Sequence, residues 1–151
     1  MAIFYSDQIT KLDQTFPKVL VQANEFGGRK RVAHFTYKAP AASPPGVADV
    51  VQLARLPKGA RVLAIFIQVE AMGGTCTIDI GDAVSTARYV AAHSLVAASS
   101  GFVTLKTDLT VPPAGGYGYE NTIEATVQAL INGSAFAVSK LLRGHIDYVS
   151  D

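Results

Sequence analysis

From Arg31 to Val149 the sequence is a succession of short runs in which every second residue is apolar, most of them closed by glycine or proline. A period of two belongs to a pleated strand with one buried face; an amphipathic helix needs a period of about 3.6. The clearest run is Thr122 to Ile131. It places Ile123, Ala125, Val127, Ala129 and Ile131 on one face and Thr122, Glu124, Thr126 and Gln128 on the other. Asn132-Gly133 follows, and both residues tolerate the positive φ of a tight turn. The pattern therefore predicts a hairpin, with Ser134 to Val149 returning beside the first strand and bending at Gly144. The return ends in a second alternation, Ile146 and Tyr148 against His145 and Asp147.

Upstream, Arg31 to Tyr37 alternates and is rich in β-formers. The Pro-rich stretch Lys38 to Gly46 breaks it, because proline donates no ladder hydrogen bond. Val47 to Leu56 reads as the next strand, stopped by Pro57-Lys58-Gly59. Arg61 to Glu70 is apolar on both faces in its first half, which predicts a central strand covered on both sides. Thr75 to Ile80 puts Cys76, Ile78 and Ile80 on one face. Arg88 to Ala92 suits a short strand or a helical turn, His93 to Ser100 helix and loop equally, and Phe102 to Leu105 another strand. About eight short strands with frequent turns and no long helix define an all-β chain: an antiparallel β-sandwich, in the jelly-roll arrangement. An immunoglobulin-like sandwich is the alternative, but its Cys-Trp-Cys core is missing, since the chain has one cysteine and no tryptophan.

Residues 1–30 carry no sustained period. They are expected to form an extended N-terminal arm that orders against a neighbour, with residues 31–151 as the sandwich domain. A short helix over Asp7 to Gln14, capped by Ser6, is the other reading of part of that segment. Residues 1–60 hold eight Lys/Arg against four Asp/Glu, and residues 61–151 hold five against eight. A basic first part of this kind suits docking on an acidic protein surface. Overall net charge is only +1, which gives no general argument for nucleic acid. No apolar stretch is long enough to span a bilayer, and an acid at Asp7 interrupts any secretory leader. The expectation is a soluble chain made in the cytoplasm.

Chemistry is harder to find. A metal centre needs converging ligands, and His34, His93 and His145 are scattered along the chain. Asp79 and Asp82 flank a glycine, but two acids are too few for a calcium loop. Asp79 reads as an outward strand residue and Asp82 as a turn cap. Cys76 reads as a small core residue. Ser99-Ser100-Gly101 lacks the strand–elbow–helix setting of a hydrolase nucleophile. No catalytic residue, metal or cofactor is expected. Two groups remain as candidate contact sites. Arg29, Lys30 and Arg31 form a basic cluster for a partner surface. Tyr117, Tyr119 and Asn121 suit a subunit interface or a glycan-binding rim, where amphipathic rings are favoured.

Three blocks carry a resemblance: Leu56-Pro57-Lys58-Gly59-Ala60-Arg61-Val62-Leu63; Thr77-Ile78-Asp79-Ile80-Gly81-Asp82 followed by Arg88-Tyr89-Val90-Ala91-Ala92; and Thr122-Ile123-Glu124-Ala125-Thr126 through His145-Ile146-Asp147-Tyr148-Val149. Over residues 30–151 their order resembles small structural proteins of tailed-phage virions. That resemblance implies a non-enzymatic sandwich that decorates or cements a capsid as a homotrimer. Its partner would be the major capsid protein, its location the capsid surface and its site of synthesis the host cytoplasm. Tail, head-fibre or baseplate proteins, with host-glycan binding, are the alternative within the same likeness.

Overall fold

The computed structural model describes residues 2–5, 30–110 and 113–150. Within them lie nine strands: β1 (Ile3–Tyr5), β2 (Lys30–Lys38), β3 (Val50–Leu56), β4 (Arg61–Val69), β5 (Thr77–Gly81), β6 (Val90–Ser94), β7 (Ser99–Phe102), β8 (Ala125–Asn132) and β9 (Leu141–Val149). They form a five-stranded sheet, β1-β3-β8-β5-β6, and a four-stranded sheet, β2-β9-β4-β7. Every pairing is antiparallel except that of β1 with β3.

The pairings are nested. β5 pairs with β6, β4 with β7, β3 with β8 and β2 with β9. The chain is thus one long antiparallel ribbon, rolled so that successive pairs fall in opposite sheets. Two further pairings, β4 with β9 and β5 with β8, complete the two sheets. This is the eight-stranded jelly roll, with β1 added at the edge of β3.

The inner faces are the ones the alternation marked. Phe35 and Tyr37 of β2, Ile65, Ile67 and Val69 of β4, and Leu142 and Ile146 of β9 come from one sheet. Leu53 of β3, Ile78 and Ile80 of β5, and Val127, Ala129 and Ile131 of β8 come from the other. Cys76, just ahead of β5, is fully buried and unoxidised among them. Burying each large aliphatic side chain contributes about 1.5–3 kcal/mol.

Several local expectations change. Asn132-Gly133 does turn, with Gly133 at φ 75°, but β8 and β9 lie in different sheets. The two-residue hairpin is replaced by a crossing over residues 133–140, which buries Phe136 against Tyr37. Turn chemistry reverses the chain but does not choose the sheet it enters. β9 runs unbroken through Gly144, and the glycine there answers a close approach, not a bend. β8 begins at Ala125, so Ile123 lies outside the strand and is exposed. His93 to Ser100 is neither helix nor plain loop: it ends β6, turns, and opens β7.

The segment expected to be an arm enters the described structure only at its ends. Ile3–Tyr5 is β1, held by the Ala2 N–H on Asp49 Oδ1 at 2.8 Å and by Phe4 against Tyr37. Lys30 opens β2. The alternative helix over Asp7 to Gln14 lies outside the described residues.

Candidate interaction surface

The register of the four-stranded sheet sets residues from distant parts of the chain side by side. His34 of β2 pairs with His145 of β9, His145 with Phe66 of β4, and Phe66 with Phe102 of β7. The four residues form one row across the full width of the sheet, and their rings gather on its outer face, with Phe102 edge-on to His145 as well, at 6.1 Å. The ring centroids of His34 and His145 are 5.6 Å apart, those of His145 and Phe66 5.1 Å, and those of Phe66 and Phe102 5.4 Å. His145 and Phe66 are stacked with an interplanar angle of 6°, whereas Phe102 meets Phe66 edge-on at 80°. Cross-strand aromatic pairs of this kind each stabilise a sheet by about 0.2–1 kcal/mol. Phe102, at the sheet edge, is nevertheless 66% exposed.

The next row along the strands is polar: Thr36, Arg143, Gln68 and Ser100, in the same strand order. Arg143 donates from Nε to Gln68 Oε1 at 2.7 Å. A shallow depression of about 220 Å³ lies over the two rows. On the other side of the aromatic row, Asp147 is buried beneath Lys30, whose Nζ is 2.8 Å from Oδ2, and beside His145 Nε2 at 3.7 Å. Lys38, at the far end of β2, is exposed on the same face as Arg143.

A second polar cluster holds the loops at one end of the sandwich. Asp82 accepts from the N–H groups of Val84 and Ser85, at 2.9 and 2.8 Å, and so caps its turn as expected. It also pairs with Arg88 Nε. Burial pushes the Asp82 carboxyl upward, but the Arg88 hydrogen bond and the two N–H groups outweigh it and hold it below the usual range. Arg88 lies over the Tyr119 ring at 4.2 Å, a cation–π contact, and donates to Ala114 O. Beside it the Tyr89 hydroxyl donates to Asn121 Oδ1 at 3.1 Å, while Asn121 Nδ2 donates to Ala60 O at 3.0 Å. Burial raises the Tyr89 phenol to about 12.

The residues singled out in the sequence therefore separate. Arg29 lies outside the described residues. Lys30 is tied to Asp147, and Arg31 is exposed at the start of β2. Tyr117 stands 60% exposed on its loop, Tyr119 is half-buried under Arg88, and Asn121 is 2% exposed, with its amide engaged inside the fold. Asp79 faces outward from β5, as read from its strand, and there clamps two neighbours, accepting from Ala92 N and from Asn132 Nδ2. His34 and His145, scattered in sequence, are neighbours in space; His93 stands apart on β6. No group of three or more His, Cys, Asp or Glu placed to hold a metal exists among the described residues. The aromatic row itself has no signal in the sequence. Each ring falls on an outward strand position, but only the register of four strands lines them up.

Fold and surface together define a small jelly-roll module whose most distinctive outer feature is this ring-and-arginine face. The same fold recurs, nearly end to end, in two solved phage structures. One is a chain of the cyanophage Pam1 capsid asymmetric unit, 20% identical, with a TM-score of 0.65 over 92% of this chain and 97% of that one. The other is a chain of the capsid of Ralstonia phage GP4, 18% identical, with a TM-score of 0.65 over 99% of both. No family model and no curated protein matches the sequence.

Proposed function

We propose that this chain is a structural protein of a tailed-phage virion, and that it decorates or cements the outer surface of the capsid without catalysing a reaction. The observation that carries this reading is the end-to-end likeness to chains from two phage capsids, over 92% and 99% of the present chain. Physically, such a protein needs a rigid body, an adhesive face and many copies. A ligand that binds only the assembled shell stabilises that shell by mass action. Trimer formation would multiply weak single contacts with the major capsid protein through effective concentration. In this reading residues 1–30 act as an arm, and Arg29, Lys30 and Arg31 supply charge where it meets its neighbour.

Copy counting by mass spectrometry of purified virions tests the proposal. Many copies per particle are expected, together with lower heat stability of particles assembled without the chain. Absence from virions, or a few copies only, would overturn it.

A second reading, a tail or head-fibre component that binds host glycans, is favoured by one observation: Tyr117 presents its ring to solvent between two glycines at positive φ. Loss of glycan-array binding in Tyr117→Ala would support it; normal adsorption of phage carrying that variant would count against it.

A further inference from the structure

We propose that the outer face of the four-stranded sheet, centred on the aromatic row and Arg143, is the surface that docks on the capsid, and that it meets an acidic protein surface there. This rests on the capsid role proposed above and names the surface that performs it.

Three features of the face lead to this partner. The first is ring orientation. His145 and Phe66 stack on each other, and Phe102 packs edge-on against both, so each of the two stacked rings has a face already in use. A sugar needs an open ring face to stack on, whereas a packed protein surface can be met by edges. Ring edges are the electropositive part of the aromatic quadrupole and favour carboxylate oxygens.

The second is charge. Of the acids on this face, Asp147 is paired with Lys30, while Glu70 accepts only from the neutral Leu141 N–H at 2.8 Å and offsets one of the cations. Arg61, at the start of β4, is matched by Glu120. Arg143 bonds to the neutral Gln68, and neither it nor Lys38 has an acidic partner among the described residues. Lys30 itself remains 58% exposed beyond its ion pair. The excess is positive.

The third is layout. Phe102 and Phe66, on adjacent strands, give an apolar centre, and Arg143, Gln68, Thr36 and Ser100 give a polar flank. An aromatic centre with arginine and a hydrogen-bonding rim is the composition of an interface hot spot. Because these side chains stand on strands, little ordering is left to do on binding.

The test uses particles assembled without this chain, mixed with the purified full-length protein, with bound copies measured by sedimentation over a range of salt. Phe102→Ala and Arg143→Glu should each weaken attachment about tenfold or more while the proteins stay folded at the assay temperature, as circular dichroism checks. Lys58→Glu, on the exposed turn between β3 and β4, should attach as the parent does. Salt should weaken the parent more steeply than Arg143→Glu, because one screened contact is gone. If the parent decorates particles and both variants do so equally well, the docking face lies elsewhere; the inference then fails and the capsid role stands. If the parent attaches to no particle, the role itself fails and the inference with it. If the variants lose self-association or glycan binding but still attach, the face serves a second copy or a sugar, and the inference is likewise overturned.

Discussion

Gly144 of β9 lies so close to Phe66 of β4 that a Cβ at position 144 would stand 2.0 Å from the Phe66 carbonyl oxygen and 2.9 Å from the Phe35 ring. No side chain fits there. Bare backbone at this one point lets the Phe35 ring cover β9 from inside the sandwich. On the outer face the neighbouring residue, His145, stacks on Phe66.

Gly144→Ala should therefore destabilise the fold by about 3 kcal/mol, the upper part of the overpacking range. The neighbour that must give way is backbone. Gly101→Ala is the control: it sits on β7, pairs with Ile67, and a Cβ there meets nothing within 4 Å. Denaturant midpoints should fall sharply for the first variant and hold or rise slightly for the second.

The Asp82–Arg88 pair makes stability depend on acid. The Asp82 carboxyl is held below its ordinary value of 3.8 in the folded chain, so its contribution is complete above that value and is lost as pH falls through the lower folded one. Asp82→Asn should cost about 2 kcal/mol at neutral pH, as expected for losing a charged hydrogen bond. Thermal melts of both proteins should show this gap holding down to about pH 4 and closing below it.

Asn121 should matter for folding. Its side-chain amide accepts from the Tyr89 hydroxyl and donates to the Ala60 carbonyl in a buried place. The Asn121 backbone N–H also bonds to that carbonyl, so Asn121→Ala strands the Tyr89 hydroxyl alone and should cost about 1–3 kcal/mol. The Tyr89 and Tyr37 phenols are both raised to about 12, mainly by burial. They favour the folded state below the ordinary value of 10.0, and that contribution is lost as pH rises from there toward 12. Denaturant titrations at rising alkaline pH should show stability falling across that window, and less so in Tyr89→Phe.

Cys76 is fully buried, and burial raises its thiol. A thiol reagent should leave the native protein untouched and modify one site per chain in denaturant. Rapid reaction of the native protein would mean that the sheets part at this point far more readily than the packing implies.

Much of the sandwich is legible in the sequence. Cys76, Ile78 and Ile80, and Val127, Ala129 and Ile131, are buried as their alternation required, because the period of a strand is a local property. Local boundaries were less secure. Ile123 matched the pattern of the strand after it yet lies outside that strand, because pattern alone does not say where pairing stops. The surface was less legible still. Tyr119 and Asn121 read as a rim from composition and loop position, but Arg88 covers one and the interior claims the other.

What the sequence determined alone is the alternation: an all-β chain, which faces are apolar, and where the chain must turn. Those follow from side-chain periodicity and backbone sterics, which act over a few residues. Only the tertiary structure decided that the chain after Asn132-Gly133 crosses to the other sheet, and that His34, His145, Phe66 and Phe102 share a row. Both depend on register between strands far apart in the chain, and register is settled by the packing of all the strands together.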